Sequence, residues 1–135
     1  MPKGWPRERL PVLLIGLLWA VSLAFPSLLA GGRSFTGYEL LVQGWQGLSR
    51  GVYAWLANPL FVVALAAAWF GRDRVAIVGA AAGLVLGATS ARVESVLSAR
   101  MSSVPDIELG VGYYIWMTAF VALLLLLSLR ALKKR

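Results

Sequence analysis

The sequence predicts an all-α integral membrane protein, with four transmembrane helices and an amphipathic interfacial helix between the first and second. Three observations carry this. The chain is 59% hydrophobic and only 14% charged, with a mean hydropathy of +0.75. Its apolar residues gather into four runs, at 10–29, 52–70, 75–91 and 110–129, each near the roughly 20 residues that cross a bilayer. The charges lie between these runs, leaving too little polar sequence to coat a soluble surface. All 135 residues are expected to form a single membrane domain.

The first run follows Lys3, Arg7 and Arg9, a pattern shared with secretory signals. Leu28 stands two residues before Ala30, where a cleavage site wants a small side chain, and the run exceeds an ordinary signal core, so it is expected to stay as a helix. Pro11 suits its first turn, and Pro26 should kink or end it. Between the first and second runs, Thr36 and Glu39 have the spacing of a capping box, and Tyr38, Leu41, Val42, Trp45 and Leu48 recur on one helical face. The spacing predicts an interfacial helix over 36–49 with Tyr38 and Trp45 at headgroup level, weakened by Gly44 and Gly47.

In the second run, Asn58-Pro59 predicts a kink. Gly71 to Arg74 reads as a tight turn that makes the second and third helices a hairpin. In the third run, small residues recur at every fourth position: Gly79, Gly83, Gly87, Ala91, Ser95 and Ala99. Such a register lets two backbones approach closely, so this helix is the expected packing hub and should continue beyond the membrane surface toward Arg100. The last run opens near Gly110 with the aromatic belt Tyr113, Tyr114 and Trp116. It then becomes leucine-rich over 123–127 and ends in a basic tail.

Alternating the four runs across a bilayer puts nine of the thirteen Lys and Arg residues on one side, with Arg33, Arg50, Arg92 and Arg100 on the other. Lys/Arg excess marks the cytoplasmic face, so both termini are expected inside. The net charge of +7 is thereby explained by orientation and by attraction to anionic lipid, without nucleic acid as a partner. The chain has no Cys and no His, which removes disulfides, thiol nucleophiles, imidazole acid–base chemistry and metal ligation by either residue; no metal or cofactor is expected.

The segments Gly37-Tyr38-Glu39, Ala54-Trp55-Leu56-Ala57-Asn58-Pro59 and Gly112-Tyr113-Tyr114-Ile115-Trp116 resemble a group of small four-helix bacterial inner-membrane proteins without an assigned activity. The resemblance implies a bacterial inner membrane as location, and nothing catalytic.

Polar atoms within the runs collect near the outer side: Ser27, Asn58, Thr89, Ser90 and Thr118, beside Pro26 and Pro59. They either line an outward-opening cavity or bond to their own helices. No acid or base lies mid-run, which disfavours ion-coupled transport. The leading expectation is a non-catalytic accessory or scaffold subunit that meets another membrane protein on the outer face. The alternatives are a binder or conduit for a small apolar or lipid-like molecule and, third, an intramembrane lipid-modifying enzyme based on Glu39 or Glu94. The candidate binding residues are Glu39, Trp45, Arg50, Trp55, Asn58, Arg92, Glu94, Tyr113, Tyr114 and Trp116.

Overall fold

The computed structural model describes residues 5–30, 32–50, 53–89 and 107–135. Among the described residues there are five α-helices: α1 (Trp5–Ser22), α2 (Gly37–Gln43), α3 (Ala57–Trp69), α4 (Asp73–Ala88) and α5 (Val111–Lys133). Three short strands accompany them: β1 (Pro26–Ala30), β2 (Arg33–Thr36) and β3 (Ile107–Leu109). The chain runs through 3-10 helix at Gly44–Arg50 and again at Ala54–Leu56.

This corrects the expectation of four spanning helices in an all-α bundle. Among the described residues, α5 alone is both long and apolar enough to cross a membrane, and a small sheet is present. The reasons are local. α1 begins early enough to include Arg7, Glu8 and Arg9, and it stops at Ser22. Pro26 biases the residue before it away from helix, and the remaining apolar residues of that run, Pro26–Ala30, leave as strand β1. α3 has only 13 residues, reaching Ala54–Trp69 with the preceding 3-10 turn, and α4 has 16. At 1.5 Å per residue these fall short of a hydrocarbon core of about 30 Å, whereas the 23 residues of α5 give roughly 35 Å.

The sheet has the order β2-β1-β3, antiparallel throughout. β1 turns into β2 through Gly32, whose φ of +79° suits glycine. Leu28 pairs with Phe35 and Leu109, while Leu29 pairs with Ser34 and Glu108, so the two-residue alternation gives the sheet one apolar and one more polar face. The proposed interfacial segment is also shorter than expected. Thr36 caps α2, its side chain accepting from the Glu39 amide at 3.2 Å, but the helix ends at Gln43 and gives way to 3-10 geometry from Gly44.

The four longer helices alternate in direction. Arg130 near the end of α5 reaches the carbonyl of Glu8 at the start of α1 (2.7 Å) and that of Ala68 at the end of α3 (3.0 Å). It also approaches Asp73, the first residue of α4, at 3.4 Å. α5 therefore runs parallel to α3 and antiparallel to α1 and α4. Gly71, at φ +75°, turns α3 into α4. Pro59 causes no mid-helix kink: it is the third residue of α3, where its missing N–H has no intrahelical partner to lose.

The core places Phe61 and Phe120 edge to face at 4.8 Å, with Trp19 stacked on Phe61 at 5.6 Å and Trp116 against Phe120 at 5.1 Å. Leu123, Leu127 and Val12 are buried beside them, and small residues fill the close α3–α4 contact. A Cβ on Gly79 would lie 3.2 Å from that of Ala64. A Cβ on Gly83 would lie 2.5 Å from Phe120 Cε1, and one on Gly87 would lie 2.9 Å from Met117 Sδ. The fourfold register thus faces α3 first and α5 beyond it. Ala91, Ser95 and the expected extension toward Arg100 lie outside the described residues.

Candidate functional site

The end of the bundle opposite Arg130 holds a half-open cavity of about 160 Å³. Its wall begins with the segment after α1. Ser22 and Ser27 are both buried there, because three backbone carbonyls between them anchor neighbouring elements. Leu23 O accepts from the Tyr38 amide at 2.9 Å, Phe25 O from Gly37 at 3.1 Å and Ser27 O from Gly110 at 3.0 Å. Amides at or next to helix starts lack intrahelical acceptors, so the carbonyls of this turn satisfy the beginnings of α2 and α5 and draw both helices onto it. The approach is close: a Cβ on Gly37 would lie 2.8 Å from Leu23 Cα, and one on Gly112 would lie 2.6 Å from Ser27 Oγ.

Leu28 and Leu109, from paired strands, supply one apolar wall, and Leu40 of α2 adds to it. Trp55, Tyr113 and Trp116 supply an aromatic wall, with Asn58 among them. Trp55 is fixed by its indole N–H, which donates to Leu41 O at 2.8 Å. Trp116 donates to Asn58 Oδ1 at 2.9 Å, Asn58 Nδ2 donates to Trp55 O at 3.3 Å, and the Tyr113 hydroxyl donates to Gly87 O at 3.2 Å. These bonds cross-link α5 to α3 and α4 and commit the indole and tyrosine donors of the wall internally.

Of the residues singled out in the sequence, Trp55, Asn58, Tyr113 and Trp116 line this cavity. Tyr114 is 59% exposed, does not line the cavity and packs edge to face with Tyr113 at 5.4 Å. Glu39 and Trp45 are exposed and do not line it. The side chain of Arg50, together with Arg92 and Glu94, lies outside the described residues. The described outer polar groups divide in two: Ser27 and Asn58 line the cavity, whereas Thr89 and Thr118 donate to carbonyls of their own helices, and Ser90 lies outside the described residues. Leu23, Leu28, Leu40 and Leu109 were not singled out. A signal for Leu28 was available in the Gly31-Gly32 pair between two short runs, the composition of a hairpin turn.

Among the described residues, the wall carries no Asp, Glu, Lys or Arg. Ser22 Oγ donates to Trp19 O and Ser27 Oγ to Phe25 O, so neither hydroxyl is set against a base as a nucleophile would be. Among the described residues, no group of three or more acidic side chains is placed to hold a metal ion. The arrangement is chemically equipped to enclose an apolar group. Comparison with protein-family models, with curated proteins and with solved structures finds no match.

Proposed function

We propose that this protein is a membrane-associated binder of a small apolar molecule, or of the apolar end of a larger one, and that it performs no chemistry on it. The observation that carries the reading is the cavity itself, with its leucine and aromatic walls and its polar side chains bonded to the protein. An apolar cavity of about 150 Å³ is large enough to admit a benzene-sized group, so a volume of about 160 Å³ is sufficient for a ring or a short length of chain.

A lipid setting is supported by the outside of the bundle. Leu10, Leu13, Leu14 and Leu17 of α1 are about half exposed, as are Val62 and Val63 of α3, while Ala and Gly line the close contact between α3 and α4. Only 28% of the apolar window of α5 is buried, unlike the core helix of a soluble domain. In this reading α5 is the span, and its basic end, with Arg130, Lys133, Lys134 and Arg135, faces the cytoplasm. The location proposed is a bacterial inner membrane, with the cavity toward its outer side.

The test is native mass spectrometry of the full chain extracted in a membrane-solubilising polymer. A bound small molecule should accompany the wild type and be lost from Ala54→Phe, which fills the cavity. The accessory-subunit reading is favoured by a separate surface, the exposed Tyr38, Val42 and Trp45 beside the cavity. A stoichiometric protein partner retained by Ala54→Phe and lost from Trp45→Ala, with no small molecule present, would put that reading first.

A further inference from the structure

The class of molecule can be argued from the hydrogen-bonding valences of the wall; the argument rests on the reading that the cavity is a binding site. The side-chain donors there are committed. Ser22 donates to Trp19 O, Ser27 to Phe25 O at 3.5 Å, Trp55 to Leu41 O, Trp116 to Asn58 Oδ1 and Tyr113 to Gly87 O. Asn58 spends one amide hydrogen on Trp55 O. A hydroxyl that donates once keeps its lone pairs, and an amide oxygen that accepts once keeps another. Ser22, at 1% exposure, offers almost nothing to an occupant, so among the described residues the wall's side chains retain acceptors on Ser27, Tyr113 and Asn58, against one remaining N–H.

That imbalance selects among ligand heads. Among the described residues, a carboxylate or phosphate would meet a single side-chain donor and no cation, and burying such a charge unpaired is costly. A protonated amine would meet lone pairs but, among the same residues, no carboxylate. A carbonyl or ether could use only the one remaining N–H and would leave the free acceptors unmet. A hydroxyl donates one hydrogen, which this wall can receive, and loses little on leaving water.

We propose that the cavity takes the hydroxyl end of a neutral single-chain lipid, a long-chain alcohol, with its chain leaving through the open side. The volume admits one narrow group and excludes a branched two-chain head. The acceptors are the Ser27 hydroxyl, 8% exposed, and the half-buried Tyr113 hydroxyl and Asn58 Oδ1 of the same wall.

The experiment uses the full chain in phosphatidylcholine nanodiscs and three probes with the same chain: 11-bromoundecanol, its methyl ether and 11-bromoundecanoate. The readout is the saturable part of tryptophan quenching by bromine, expressed per mole fraction of probe in the lipid. The alcohol should half-saturate at a roughly five- to tenfold lower mole fraction than the ether, the size of one net hydrogen bond. In Ser27→Ala/Tyr113→Phe, that gap should close to within twofold while the ether is unaffected. Ser27→Ala alone serves if the double variant fails to fold, and it should narrow the gap. Equal binding of alcohol and ether, or tightest binding of the carboxylate, overturns the assignment of the hydroxyl while leaving a binding cavity. Absence of any saturable component, with all three probes indistinguishable from Ala54→Phe, removes the cavity reading and this inference together.

Discussion

The indole N–H of Trp116 donates to Asn58 Oδ1 across 2.9 Å, joining residues 58 positions apart and fixing the second turn of α5 to the first turn of α3. Asn58 also donates to Trp55 O, so one amide holds two of the three aromatic walls of the cavity. Asn58→Leu conserves volume approximately but leaves the half-buried indole without its acceptor. A buried donor stripped of its partner costs about 1–3 kcal/mol. The variant should unfold at lower temperature and lose probe binding, whereas Asn58→Gln should recover part of both. Unchanged thermal unfolding and binding in Asn58→Leu would show that the bond is dispensable.

Gly83 offers a second test, because the room it leaves is occupied by one ring. A Cβ there would stand 2.5 Å from Phe120 Cε1, inside any real contact distance. Gly83→Leu should therefore destabilise by roughly 3 kcal/mol through overpacking. Gly83→Ala combined with Phe120→Leu should be more stable than Gly83→Ala alone, a coupling read from a double-mutant cycle in chemical denaturant. Additive effects would mean that the ring and the glycine do not share this space.

At the far end, Asp73 accepts from Lys134 Nζ at 2.8 Å and from Arg130 at 3.4 Å, with only 13% of its side chain exposed. Arg130 does more than pair with it, since it also donates to the carbonyls of Ala68 and Glu8. Arg130→Met removes three contacts that tie α1, α3 and α4 to α5, whereas Asp73→Asn removes charge from one of them. The arginine substitution should cost the larger amount, about 2–4 kcal/mol against about 1 for the aspartate, measured by thermal unfolding. The reverse order would place the stabilisation in the ion pair rather than in the carbonyl contacts.

How far the sequence revealed this fold depended on whether a residue's partner was near or distant in the chain. The apolar length of α5 and the capping role of Thr36 are local properties, visible in spacing alone. The register of Gly79, Gly83 and Gly87 likewise marks a helix face, although only the structure shows Phe120 and Met117 occupying it. The fate of residues 26–30 was not legible in the same way. Leu28 and Leu29 extend an apolar run and fit a helix by composition, but strands 33–36 and 107–109 compete for their backbone. As one helix the run would be too long, and Ser27 and Leu28 would not meet Leu109 in the cavity wall. In the site, Trp55, Asn58, Tyr113 and Trp116 stand out because polar and aromatic groups are conspicuous in apolar sequence. Leu23, Leu40 and Leu109 do not, since nothing separates a cavity leucine from any other until the chain is folded.

Orientation provides the last test, and it depends on α5 alone. Among the described residues, the sheet end carries Arg33, Glu39 and Glu108, whereas Arg7, Arg9, Arg72, Arg74, Arg130, Lys133, Lys134 and Arg135 lie toward the other end with Glu8 and Asp73. Positive residues flanking a span stay on the cytoplasmic side, so the sheet and the cavity should open outward. The absence of native cysteine makes the measurement clean. In intact spheroplasts, a Cys replacing Ser34, exposed on β2, should react with an impermeant maleimide, while a Cys replacing Lys133 should react only after permeabilisation. The opposite pattern would put the cavity on the cytoplasmic side, where its ligand would come from metabolism within the cell. Reaction of both sites in intact spheroplasts would defeat the stated placement of the basic end. Recovery of the protein in the soluble fraction after lysis would defeat the membrane setting, and the exposed leucines of α1 would then need a protein partner to cover them.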